Sequence, residues 1–180
     1  GLGDVYKRQG ANAAISYNNL NPNLTVGLVD KAIFPRDKSC GDAIGPGVIS
    51  ALKRFNNEHI LDGEPQVVST TLYGPDNIGI QNYIPEVKNK EDSIVYVIPR
   101  VDLDNRILDL AKECGVDVYE GYSFVDFTSN LDKSLNVQIK NENENLEFLT
   151  KILVGADGAN SRIRKKLSYY KNIIFYIMIR

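Results

Sequence analysis

A chain of 180 residues has room for one domain or one and a half, and 43% apolar with 24% charged residues is an ordinary globular composition. Its 21 basic and 23 acidic residues leave a net charge of -2, which provides no electrostatic pull toward nucleic acid or an anionic membrane. Two cysteines without close spacing and one histidine, His59, exclude a disulfide framework and a zinc finger, argue against a histidine triad or multi-histidine metal site, and fit a reducing cytoplasm.

Taken in chain order, residues 10–20 read as a small-residue helix stopped by Asn21-Pro22. Leu24 to Val29 is an apolar, partly β-branched run closed by Asp30, the pattern of a buried strand. A long loop, residues 34–47, leads into a helix expected from about Val48 to Phe55. Strands are expected at 66–73 and 78–84 around the turn Gly74-Pro75-Asp76-Asn77, and again at 93–98. Asp102 is expected to cap a helix carrying Leu103, Ile107, Leu108 and Ala111 at helical spacing and closed by Gly115. Strands at 116–120, 122–128, 134–140 and 146–154 and a short helix at 159–167 complete the pattern. The apolar run Ile173 to Ile179 is too short for a membrane span, which takes roughly 20 residues. No signal peptide is visible.

The order is an α/β nucleotide-binding layout interrupted by β elements. It predicts a dinucleotide-binding part at 10–45 and 96–170 and a substrate-facing insert at 46–95, with 171–180 an uncertain tail. A dinucleotide fold uses a glycine turn at a helix N-terminus to approach the pyrophosphate, and an acid at the end of the next strand for the adenosine ribose. Gly10 and Ala11 open the first helix, and Asp30 follows Gly10 by about 20 positions, the spacing such folds use. The two earlier glycines of the G-x-G-x-x-G pattern belong at positions 5 and 7, which hold Val5 and Lys7. Residues 1–9 therefore read as a non-native leader without a phosphate turn. On these residues alone, a small-residue helix packed on a strand is an equal reading.

Three segments add a resemblance. Asp30-Lys31, followed by Pro35-Arg36-Asp37-Lys38-Ser39-Cys40-Gly41-Asp42, is similar to the loop of geranylgeranyl reductases. Arg100-Val101-Asp102-Leu103-Asp104 resembles that family's helix start. Gly155-Ala156-Asp157-Gly158-Ala159-Asn160-Ser161-Arg162-Ile163-Arg164 resembles the glycine–aspartate turn shared by aromatic hydroxylases, halogenases and geranylgeranyl reductases. Read without the resemblance, the first is a solvated basic loop, the second a surface salt bridge to Asp102 or Asp104, and the third a strand-turn-helix.

The resemblance covers about residues 10–167 and implies an FAD-binding Rossmann-like partial domain of the glutathione reductase/aromatic hydroxylase type, with a β-meander and a partial β-rich insert. It implies that Gly10, Ala11, Asp30, Lys31, Arg36, Cys40, Gly41, Asp42, Arg100, Asp157 and Gly158 bind FAD, and it nominates Cys40 as proton donor; no metal is implied. The expected chemistry is reduction of an isoprenoid carbon–carbon double bond, with NAD(P)H or another reductant as electron donor and peripheral membrane contact for access to a lipid substrate. The rivals are an FAD-dependent monooxygenase or halogenase on the same scaffold, acting on a small molecule, and an inactive nucleotide-binding fragment. Because the expected phosphate turn and the family's later flavin motif are missing, the 180 residues by themselves are expected to bind FAD weakly and to lack turnover.

Overall fold

The computed structural model describes residues 9–37, 42–83, 95–158 and 160–167. The expectations for residues 1–8 and 168–180, and for Cys40 and Gly41, lie outside the described residues. The chain divides into two compact units, one from the described parts of 1–36 and 104–180 and the other from those of 37–103.

The first unit opens with helix α1 (Gln9–Leu20), whose Ala14 and Ile15 are buried and which packs on strand β1 (Gly27–Asp30). Pro22 lacks the N–H a helix needs, so α1 stops just before it. β1 pairs in parallel with β6 (Asp117–Glu120), residue for residue from Gly27↔Asp117 to Asp30↔Glu120. Parallel neighbours need a long crossover rather than a hairpin. Here the crossover contains the whole of the second unit and ends in helix α3 (Arg100–Glu113).

Helix α3 begins two residues ahead of the expected cap. The Pro99 carbonyl accepts from the Asp102 and Leu103 amides at 3.1 and 3.0 Å, so Asp102 lies inside the first turn. At its other end the Gly115 amide donates to the Lys112 carbonyl and the Val116 amide to the Ala111 carbonyl, with Gly115 at φ +88°. This pair of bonds closes a helix through a left-handed residue, the conformation that glycine adopts without a Cβ penalty.

Strands β7 (Ser123–Ser129), β8 (Leu135–Lys140) and β9 (Asn145–Thr150) form an antiparallel meander. Alternate residues Leu135, Val137 and Ile139 of β8 are buried, as the period of two requires when one face is covered. They share a core with Phe127 and with Ile163 and Leu167 of helix α4 (Arg162–Leu167). Tyr119 of β6 joins this core through its ring contact with Phe148, centroids 5.0 Å apart.

In the second unit, β2 (Ala43–Ile44) pairs antiparallel with β5 (Tyr96–Val97). Helix α2 (Pro46–Arg54) carries proline at its start, where the missing N–H is not needed, and buries Ile49 and Leu52. It closes through Asn56 at φ +56°, with the Asn57 amide donating to the Leu52 carbonyl. A 3₁₀ turn (Glu58–Leu61) and the exposed hairpin β3 (Ser69–Tyr73) and β4 (Gly79–Tyr83) follow.

Two substitutions test this packing. Phe127→Ala should lower unfolding free energy by about 3–5 kcal/mol, because the meander core cannot close over the lost ring. Gly115→Ala should cost about 1–2 kcal/mol through its left-handed backbone. Urea denaturation followed by circular dichroism checks both, and midpoints equal to that of the unsubstituted protein would contradict the assignments.

Candidate functional site

In the first unit two distant segments meet at the start of α1. A methyl group placed on Gly10 would lie 3.5 Å from the Ala156 Cβ and 3.5 Å from Leu28 Cδ1. The helix start therefore lies close to both β1 and the Gly155–Gly158 turn, with room for a methyl but not for a long side chain. Close helix–strand packing is the task of the last glycine in a dinucleotide-binding turn. Ala11 is half-buried in the same helical turn.

The Gly155–Gly158 turn is held by its own aspartate. Asp157 Oδ2 accepts from the Arg162 amide at 2.7 Å and the Ile163 amide at 3.4 Å, while Ser161 Oγ accepts from the Arg164 amide at 2.9 Å. Both oxygens thus cap the free amides that open α4. Gly155 lies close against Ile163, and a Cβ there would come within 3.2 Å of that side chain. Gly158 sits at φ +82° with open space where a Cβ would be.

Asp30 closes β1. Its Oδ1 accepts from the Ala32 amide at 2.9 Å, and the Arg36 guanidinium returns to its Oδ2 at 4.0 Å. Arg36 also lies over the Phe34 ring, 5.2 Å from the centroid, and its buried Nε has no hydrogen-bond partner among the described residues. A buried donor without an acceptor is costly, so this nitrogen suits a ligand acceptor. Lys31 is exposed.

Sequence reasoning missed Glu120 and Lys112. Glu120 Oε2 accepts from the Phe34 amide at 2.7 Å and Oε1 from Lys112 Nζ at 2.9 Å. Burial opposes ionisation of Glu120, but the Phe34 amide and Lys112 outweigh it and hold its carboxyl below the usual glutamate range. The hydrogen bond that Lys112 donates to Glu120 likewise raises the Lys112 ammonium above its ordinary value. The available signal was an acid closing a strand ahead of a glycine, the same strand-end position Asp30 occupies.

In the second unit Asp42 and Arg100 are brought together. Asp42 adopts φ +54°, its Oδ1 accepts from the Arg100 amide at 3.1 Å, and its carbonyl accepts from the Ile98 amide at 3.0 Å. Arg100 is buried. Among the described residues, no cluster of metal-ligating side chains occurs and no helix is long and apolar enough to cross a membrane.

A parallel strand pair with a small-residue helix start and a closing acid at its ends, followed by a β-meander and a glycine–aspartate turn, defines the FAD-binding Rossmann-like fold of the aromatic-hydroxylase type. The family described as FAD binding domain matches residues 54–172, and the chain belongs to it. FAD is that family's cofactor. The chain is similar to the menaquinone reductase of Mycolicibacterium smegmatis, 27% identical over 155 residues that make up 85% of this chain and 37% of the relative. The flavin-dependent halogenase CmlS superposes with a TM-score of 0.73 at 21% identity, over 93% of this chain and 30% of that one. The p-nitrophenol 4-monooxygenase PnpA of Pseudomonas putida superposes with a TM-score of 0.74 at 13% identity, over 93% of this chain and 42% of that one. At such identities the two superpositions speak to the fold alone. The chain spans about a third of the length of the curated relatives it matches.

The residues present fit the cofactor on two counts: Gly158 has open space where a Cβ would be, and among the described residues the buried Arg36 Nε has no acceptor. Gly10→Leu should disrupt the contact with Leu28 and Ala156 and cost about 1–3 kcal/mol, whereas Gly10→Ala should fold normally. Equal melting temperatures for both variants would contradict the close approach.

The Glu120–Lys112 pair gives a pH dependence of known sign. A carboxyl held below its unfolded value contributes stability that is present above the ordinary glutamate value and lost as pH falls through the depressed one. The raised Lys112 contributes stability present below its ordinary value and lost as pH rises through the elevated one. Glu120→Gln should flatten the acid limb of a melting-temperature profile, and an unchanged acid limb would contradict the assignment.

Proposed function

We propose that the whole protein is an FAD-dependent oxidoreductase of the hydroxylase, monooxygenase or halogenase type, acting on a small molecule with NAD(P)H or another reductant as electron donor. The observation that carries the FAD reading is the meeting of Gly10 with the Gly155–Gly158 turn beside a strand that ends in Asp30. Support for this type is that a flavin-dependent halogenase, CmlS, and a monooxygenase, PnpA, share the fold over 93% of the chain.

On this reading Asp30 accepts hydrogen bonds from the adenosine ribose, and the amides at Gly10 and Ala11 face the pyrophosphate. Arg36 and Lys31 supply positive charge and donors nearby, and Asp157 shapes the turn whose Gly158 leaves room for the cofactor. Cys40, Gly41, Asp42 and Arg100 serve the flavin end. Residues 10–45 and 96–170 form the cofactor-binding part and 46–95 the substrate-facing part of a cytoplasmic protein. When bound, FAD supplies the two-electron chemistry, and the chain supplies binding, orientation and electrostatics.

A second reading is reduction of a carbon–carbon double bond in an isoprenoid lipid, reached by peripheral contact with a membrane. The Pro35–Asp42 segment favours it, as does the similarity to a relative called menaquinone reductase. Cys40 is then the proton donor.

The whole protein should purify yellow, and Asp30→Ala should raise the FAD dissociation constant about tenfold or more through loss of charged hydrogen bonds. A colourless protein that binds adenine nucleotides but no flavin would leave only a nucleotide-binding role. Substrate-dependent oxygen consumption with NAD(P)H and aromatic compounds is the outcome expected of the first reading. Anaerobic saturation of a prenyl double bond, abolished by Cys40→Ser with FAD retained, would replace it with the second.

A further inference from the structure

The loop from Lys31 to Arg36 leaves Asp30 and comes back to it through the Arg36 guanidinium, 4.0 Å from Asp30 Oδ2. Its first turn is pinned by Asp30 itself through the Ala32 amide. Its middle is pinned from the neighbouring strand. Glu120 Oε2 accepts from the Phe34 amide at 2.7 Å, and the Gly121 amide donates to the Ala32 carbonyl at 3.1 Å. Gly121 adopts φ +78°, and a methyl there would stand 3.5 Å from Ile33 Cγ1, so the loop lies close over this turn. Phe34, the residue whose amide Glu120 holds, is the ring under Arg36. Lys112, in the last turn of α3, fixes the other oxygen of Glu120 at 2.9 Å.

We propose that Glu120 is a positioning residue for the cofactor loop: by holding the Phe34 amide it sets the place of the Phe34 ring and the Arg36 guanidinium, and through them the orientation of Asp30. The inference rests on reading Asp30 as the ribose-binding acid. An exposed surface ion pair would contribute little. This carboxylate instead has a side chain 21% exposed and spends one oxygen on a backbone amide of the loop, which makes its effect local rather than general.

The test combines FAD titration by fluorescence with amide hydrogen exchange on the unsubstituted protein, Glu120→Ala, Glu120→Gln and Lys112→Met. Glu120→Ala should weaken FAD binding about tenfold, the loss expected for one charged hydrogen bond to the loop. It should also speed exchange at residues 32–36 while leaving the meander core unchanged. Glu120→Gln keeps a carbonyl acceptor for the Phe34 amide and should restore most of the affinity and protection. Lys112→Met should change binding less than Glu120→Ala does. The proposal is overturned if Glu120→Ala binds FAD as the unsubstituted protein does with unaltered exchange at 32–36. It is equally overturned if exchange rises evenly across the first unit, the mark of general destabilisation. Should the unsubstituted protein bind no FAD, the functional reading fails, and the exchange pattern at 32–36 alone still decides whether Glu120 holds the loop.

Discussion

The parallel pairing of β1 with β6 is the constraint on which the candidate site depends. In register, it sets Asp30 beside Glu120, so two neighbouring strands end in carboxylates. Like charges on adjacent strands repel, and each must be compensated. Asp30 takes the Ala32 amide and Arg36, while Glu120 takes the Phe34 amide and Lys112. Both acids therefore bond to one six-residue loop, residues 31–36, and Glu120 is also paired with Lys112 of α3.

The same strand explains the place of α1. Its Leu28 meets the glycine at the helix start, and that glycine also meets Ala156. A side chain as long as leucine would hold helix, strand and turn apart. Asp157 turns its carboxylate onto the first amides of α4, so in the described geometry the acid of this turn organises protein backbone. Gly158 beside it keeps an unobstructed surface. One acid shapes a turn and the other closes a strand, a division that leaves Asp30 as the carboxylate oriented by the loop.

Much of the fold was legible because its signals are local. The left-handed Gly115 and the alternation of Leu135, Val137 and Ile139 each report the conformation that their own residues require, whereas the run Leu24 to Val29, expected as a buried strand, is strand only from Gly27 to Asp30 and is exposed or half-exposed. The short pieces were not legible. Two-residue β2 has no periodicity to read, and the 3₁₀ turn at Glu58–Leu61 is a single turn embedded in polar sequence. The start of α3 was misjudged because a proline carbonyl, Pro99, accepts the first helical amides, so no side-chain cap is needed at Asp102. Glu120 offered only its strand-end position as a signal, and the partners of Glu120 and Lys112 were hidden for a different reason. Their roles follow from a pairing between strands far apart in sequence, and nothing local at Tyr119-Glu120-Gly121 shows that Phe34 is the partner.

The central claim is that FAD lies against the helix start at Gly10, the strand end at Asp30 and the turn at Gly158 together. Amide chemical shifts recorded by NMR as FAD is added test it most directly. The account predicts that the largest changes cluster at residues 10–13, 30–36 and 155–158 and saturate with one common dissociation constant. It is contradicted if FAD leaves these three segments unmoved and shifts only amides elsewhere, such as those of the exposed β3–β4 hairpin.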